Sequence, residues 1–216
     1  MVDSDAPFIR YLYKLASDER GGGKDAPGAR AALAGLRRGR GKEPGTVTEM
    51  YSLVVPRLRE AKSWEQQSWV DETYFLIAAL FAGHRWSREN AEPDSFKESR
   101  SNLGTSFRAF ARAAEADGHA VSASTEKRFA ALLECDRQRL PDHLRYAINL
   151  LGDIPIDWAT LLDDILRWDA EKRTQLRWAK AYWYRPPARP TDDESPTGQT
   201  NDDDDNGADA LAEEGD

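Results

Sequence analysis

The chain has 216 residues, room for one full hydrophobic core and not for a multidomain machine. Its formal charge of −8, from 30 Lys and Arg against 38 Asp and Glu, taken alone excludes a nucleic-acid binder. Located along the chain it excludes nothing of the kind: Thr191 to Asp216 holds eleven acids and no Lys or Arg, so the first 190 residues carry 30 basic against 27 acidic groups, a net of +3.

Asp5 followed by Pro7 marks a helix start, because the fixed φ and missing N–H of proline suit a first turn. Phe8, Tyr11, Leu12 and Leu15 then recur at the period of one helix face, and Gly21, Gly22 and Gly23 end the element. No strand precedes that triplet and no Gly-Lys-Ser/Thr follows it, so it is a connector and not a phosphate loop. Asp25 and Pro27 open a second, short helix through Ala31, Leu33 and Leu36, stopped by Gly39. At its end stand Arg37, Arg38, Arg40 and Lys42, punctuated by Gly39, Gly41 and Gly45. Cations near a helix C-terminus gain ~0.3–1 kcal/mol from the macrodipole, but four within six residues exceed what a cap needs.

Thr46 or Thr48 starts a third helix with Met50, Tyr51, Leu53 and Val54 before Pro56, and Ser63 followed by Gln66 has the capping-box spacing for a fourth. The fourth carries Trp69, Thr73, Leu76, Ile77, Leu80 and Phe81 to Gly83, and is expected to be the central helix. Its apolar run, Tyr74 to Ala82, is nine residues long, about half of the ~20 that span a bilayer. His84 to Glu98 reads as a loop. Leu103, Phe107, Phe110, Ala111 and Ala114 predict a fifth helix closed by Gly118. Ser124 is expected to cap a sixth with Phe129, Leu132 and Leu133, and Pro141 to begin a seventh with Leu144, Ile148 and Leu151 before Gly152. Asp157 caps an amphipathic stretch of Trp158, Leu161, Leu162, Ile165 and Trp168. Asp169 is expected to cap a last helix, with Leu176, Trp178, Ala179, Tyr182 and Trp183, ahead of Pro186, Pro187 and Pro190.

No alternating β-branched window is present, and the pattern predicts an all-α, compact bundle of eight or nine helices with a disordered acidic C-terminal tail. The expected domain is 1–185 and the tail 186–216. One cysteine, Cys135, excludes an intramolecular disulfide, and the N-terminus lacks a charged-then-apolar signal pattern, so the expected compartment is cytoplasmic.

Catalytic constellations do not emerge from the spacing. His84, His119, His143 and Cys135 include no metal-ligand pair, and no cofactor is expected. Asp142 beside His143 lies in a first helical turn, where an acid is favoured by the dipole. Cys135 follows Leu132 and Leu133 and reads as a buried, inert thiol. Asp163 and Asp164, about 100° apart on a helix, do not converge. The chain is therefore read as no enzyme, without a small-molecule substrate.

What remains is cationic. Residues 20 to 62 hold ten basic and four acidic groups, a footprint for a phosphate backbone. Lys97, Arg100, Arg108 and Arg112 form a second group, with Arg108 and Arg112 four apart on one helix face. Arg128, Arg137 and Arg145 belong to a third. No base-reading motif accompanies them, so backbone contact is expected rather than base readout.

The order of these pieces resembles the CasB family, the small subunit of the type I-E CRISPR surveillance complex called Cascade. The resemblance rests on Leu36-Arg37-Arg38 with glycines and Pro44 following, then Tyr51 to Leu58. It continues through Ser99-Arg100-Ser101-Asn102-Leu103-Gly104, His143-Leu144-Arg145 before Leu150-Leu151, and Ile156-Asp157-Trp158 with Leu161, Leu162 and Trp168. It covers about residues 6 to 185. It implies an all-helical, non-enzymatic subunit present as two copies, touching target and displaced DNA strands, and possibly crRNA, through basic residues while guide pairing reads the sequence. The implied partners are the other Cascade subunits, a second copy of this chain, crRNA and target DNA, with no membrane. Matching positions are Arg37, Arg38, Lys97, Arg100 and Arg145, with Arg128 and Arg137 in the same helical region; Arg40, Lys42 and Arg108 join them from the charge pattern. Asp157, Trp158 and Trp168 read as cap and core. The glycine triplet and acidic tail depart from the family. The competing expectation is a helical protein-protein adaptor anchored by Trp64, Trp69, Trp86, Trp178 and Trp183, which predicts a rimmed apolar patch in place of a positive groove.

Overall fold

In the computed structural model, residues 6–90, 101–118, 123–169 and 173–184 are described. Ten α-helices form among them, and no strand. α1 (Ala6–Gly21) lies against α2 (Ala26–Arg37), and both meet α4 (Trp64–Gly83), which also touches α3 (Tyr51–Val54), α5 (Arg85–Asn90), α8 (Leu140–Leu151) and α9 (Trp158–Leu166). α4 is central because it is apolar on every side: all residues from Thr73 to Ala82 are buried. Burying each large side chain of this set, such as Phe81 at 0% exposure, is worth ~1.5–3 kcal/mol.

Capping fixes where several of these helices begin. The Ser63 hydroxyl accepts from the Gln66 N–H at 3.3 Å, and the Asp157 carboxylate from the Thr160 N–H at 2.9 Å, as the sequence predicts. α6 (Leu103–Ala116) is capped by Asn102, whose side-chain oxygen accepts from the Thr105 N–H at 3.2 Å. α6 packs on α10 (Arg173–Trp183) and α7 (Ala123–Glu134) around Phe107, Phe129 and Tyr182, whose rings lie 4.5–4.9 Å apart. Gly104 allows the α6–α10 approach, since a methyl group there would overlap the Trp178 carbonyl oxygen.

Three local expectations change. Part of the loop predicted after Gly83 is helical, as α5, whose short charged sequence has no apolar stripe to betray it. The third helix is broken into a 3-10 turn at Thr48–Met50, α3, and a second 3-10 turn at Val55–Arg57 that accommodates Pro56, which has no N–H for an α ladder. Ser124 lies inside α7 and not at its cap. Residues 170–172, between Asp169 and the first described residue of α10, lie outside the described residues, and with them the expected cap. Among the described residues the α-helices number ten, the expected bundle with α5 added. Residues through Tyr184 cluster as one compact unit. The expected tail, and Lys97, Arg100 and His119, lie outside the described residues. No helix among those described is long and apolar enough to cross a membrane.

Candidate nucleic-acid interface

The basic turn is positioned by the way α2 ends. Gly39, packed against the Met50 thioether and Ala79, brings the chain onto α4. Arg37 donates from Nε to the Leu33 carbonyl at 3.3 Å, and Arg38 donates to the Glu49 carboxylate at 3.0 Å on the surface. The stem of Arg40 lies over the bare backbone of Gly83, and its guanidinium reaches the Asn149 side-chain oxygen at 2.5 Å. Arg145 of α8 closes the arrangement, donating to the Lys42 carbonyl through Nη2 and to Asp142 at 2.6 Å through Nη1. Residues more than 100 positions apart are thus tied together, and Arg37, Arg38, Arg40, Lys42 and Arg145 share one region.

Two of these cations have acidic partners, Arg38 with Glu49 and Arg145 with Asp142. The Arg38–Glu49 pair is exposed at both ends, and such pairs are worth only ~0–1 kcal/mol and are open to exchange for another anion, whereas the Arg145 side chain is largely buried. Arg37, Arg40 and Lys42 make no ion pair among the described residues. The turn therefore retains net positive charge at the surface.

The remaining candidates stand on other elements. Arg108 donates to the Tyr184 carbonyl at 3.0 Å and, with Arg112, lines an open groove between α6 and α10. Arg128 is exposed on α7. Arg137 sits with its guanidinium carbon 4.7 Å from the centre of the Trp69 ring, and its Nε lies 2.5 Å from Asp169 without hydrogen-bond alignment. Arg137 also lines a cleft with Arg59 and Lys62, two cations that the charge pattern along the chain did not single out. Near the basic turn, sequence reasoning missed His84, Arg85 and Asn149, which line a cleft with Arg40. No spacing rule joins Arg40 to Asn149 across 109 positions, and His84 and Arg85 fall in a stretch whose sequence reads as loop.

The groups weighed for catalysis are occupied otherwise. Burial pushes the Cys135 thiol up to about 11, with Asp136 adding to the effect, so the sulfur stays protonated. Asp163 pairs with Arg167, whereas Asp164, fully buried, accepts from the Trp178 indole at 2.6 Å and from Arg177. Burial raises the Asp164 carboxyl, with Trp178 and Arg177 acting against it. Asp142 is engaged by Arg145, and no three His, Cys, Asp or Glu side chains among the described residues converge on a metal-sized site. Of the five tryptophans of the adaptor expectation, Trp69 and Trp178 are buried and Trp86 half-buried, leaving Trp64 and Trp183 exposed.

These features define an all-α protein whose basic, solvent-facing turn is clamped onto a neighbouring helix. Residues 32–183 match the family described as CRISPR-associated protein Cse2. The chain is 38% identical to the CRISPR-associated protein Cse2 of Thermus thermophilus over 156 residues, 71% of this chain and 79% of that protein. Its fold is similar to the crystal structure of M. ruber CasB, with a TM-score of 0.61 and 28% identity over 85% of this chain and 94% of that one. It is also similar, at 24% identity and therefore in fold alone, to a chain of a CRISPR RNA-guided surveillance complex, with a TM-score of 0.57 over 84% and 92% of the two chains. The chain belongs to the Cse2 family of CRISPR-associated proteins, the family also named CasB.

Proposed function

We propose that this chain is a non-catalytic small subunit of a type I-E CRISPR Cascade complex, holding nucleic-acid backbone through its basic surface and thereby stabilising the R-loop in antiviral defence. Membership of the Cse2 family and the presence of this fold in an RNA-guided surveillance complex support the assembly. The observation that carries the binding role is the clamped turn, where Arg37, Arg38, Arg40, Lys42 and Arg145 are held together and three of the five, Arg37, Arg40 and Lys42, make no ion pair among the described residues. Phosphate contacts from such a surface are independent of sequence, which suits a subunit working where base pairing with crRNA does the reading. Lys97, Arg100, Arg108, Arg128 and Arg137 are proposed as further backbone contacts, to target or displaced strand. In this reading residues 1–185 are the working domain, residues 186–216 an appended acidic segment, and the compartment cytoplasmic. A second copy of the chain and the other Cascade subunits are its protein partners. The adaptor reading loses support because three of its five tryptophan anchors are not exposed.

The test is R-loop formation by reconstituted complex carrying Arg37→Ala, Arg38→Ala and Lys42→Ala together. Each lost phosphate contact lowers the slope of log K against log salt by about 0.9 on duplex and about 0.7 on single strands. A slope reduced by about two, with weaker R-loop formation, is expected. An unchanged affinity and slope overturn the proposal.

A further inference from the structure

Of the aromatic side chains left exposed among the described residues, two stand on elements that hold the basic turn, Tyr51 on α3 and Tyr146 on α8. Tyr146 is 69% exposed and makes no hydrogen bond or ring contact among the described residues. The buried face of α8 is filled by Leu140, Leu144, Ala147, Ile148 and Leu151, which leaves position 146 on the solvent side.

Its neighbours on that side are the groups that clamp the turn. Tyr146 follows Arg145, which donates to the Lys42 carbonyl, and lies three residues before Asn149, which accepts from Arg40. Side chains three or four apart on a helix have Cβ atoms about 5–6 Å from each other, so Tyr146 stands beside the Asn149–Arg40 bond. The carboxylate on the same ridge, Asp142 four residues before, is already engaged by Arg145 at 2.6 Å. A second ring adjoins the turn at Gly45. There the Tyr51 hydroxyl donates to the Gly45 carbonyl at 2.9 Å, and the ring meets Phe75 edge-on at 5.8 Å, so it is fixed in place and still 42% exposed.

A single exposed tyrosine needs no explanation, since surfaces carry many apolar atoms. Set among cations it adds something that charge cannot supply. Lys and Arg attract the phosphates of any strand, paired or not, whereas an aromatic face takes a base only where that base is free of its partner. Stacking of this kind tolerates every sequence, because every base has a π-face. Rings beside unpaired cations therefore favour a single strand over a duplex.

We propose that Tyr146 is a base-stacking residue, the basic turn holding a single DNA strand with its phosphates on Arg38 and Lys42 and one unpaired base laid on the Tyr146 ring. This rests on the nucleic-acid reading above, and adds to it the state of the strand and an uncharged residue that recognises it. In an R-loop the strand with unpaired bases is the displaced one.

The experiment measures binding to the full-length chain at low salt by fluorescence anisotropy, with oligothymidine and with a strand of the same length and backbone in which every base is replaced by an abasic site. Tyr146→Ala is expected to weaken oligothymidine binding about fivefold or more, the lower end of what one stacked base contributes, and to leave the abasic strand within about twofold. The salt slope stays unchanged, since no phosphate contact is lost. Tyr146→Phe keeps the ring and is expected to bind oligothymidine within about twofold of wild type. Lys42→Ala, in contrast, weakens both strands and lowers the slope by about 0.7. Oligothymidine binding that Tyr146→Ala leaves intact, or a loss equal on both strands, overturns the stacking role, while the Lys42→Ala result still speaks for the phosphate contacts. A wild-type chain that binds neither strand also overturns it, and R-loop formation by the complex carrying the Arg37, Arg38 and Lys42 substitutions then decides the proposed function separately.

Discussion

His84 connects local geometry to the pH dependence of stability. Its ordinary pKa of 6.5 falls to about 4 in the folded chain, because burial disfavours the charged ring. On acidification from 6.5 the unfolded chain takes up a proton that the folded chain refuses, so stability falls across the window from 6.5 to about 4, by up to about 3 kcal/mol. Asp157 and Asp164, raised by burial, act in the opposite sense: their contribution is present below the ordinary carboxylate value and is lost as pH rises through the folded pKa. Comparing urea midpoints of wild type and His84→Asn isolates the histidine, since the Asn amide oxygen can replace Nδ1 as acceptor for Ser87. The wild type is expected to lose more stability than the variant between pH 6.5 and 4. Gly104 gives a second residue-scale expectation. Its missing Cβ faces backbone and not a flexible side chain, so Gly104→Ala separates α6 from α10 and lowers stability by about 3 kcal/mol in denaturant titration.

Helices were legible where an apolar stripe coincides with a capping residue. Ser63 and Asp157 cap α4 and α9, and Phe8, Leu12 and Leu15 are buried along α1 as their spacing predicts. α5 was not legible because six residues of mostly polar sequence fold there by lying against α1 and α4. The basic turn was legible as charge, but its attachment to α8 was not. Arg145 was singled out as a cation, whereas its use in holding the Lys42 carbonyl depends on α8 lying beside the end of α2. Arg145→Ala is expected to accelerate backbone amide exchange from Gly39 to Gly45 severalfold, with the thermal midpoint shifted by only a few degrees. A turn already held by Gly39 and Arg40 alone would show no acceleration.

Across the whole chain the charge is partitioned. The eleven acids of Thr191 to Asp216 outweigh a body of net +3 and produce the overall −8. Deleting Thr191 to Asp216 removes no cation and leaves every core residue among the described residues in place, so the thermal midpoint is expected to stay within about 2 °C. If the basic surface holds nucleic acid, affinity for single-stranded DNA at low salt is expected to stay equal or rise, because repulsive charge has been removed. A weaker complex after deletion would mean that the acidic segment contributes contacts of its own.

The sequence by itself determined the helical class, the starts of most helices, the centrality of Trp64 to Gly83 and the separation of acidic from basic regions. These follow from local periodicity, capping chemistry and composition, which are readable without knowing what packs on what. Only the tertiary structure decided which cations share a surface. It set Arg40 and Lys42 beside Arg145 and Asn149, sent Arg137 to Trp69, and gathered His84, Arg85 and Asn149 into one cleft. Contacts between residues some 70 to 110 positions apart depend on how helices pack, and packing is fixed by the shape of the whole core rather than by any stretch of sequence.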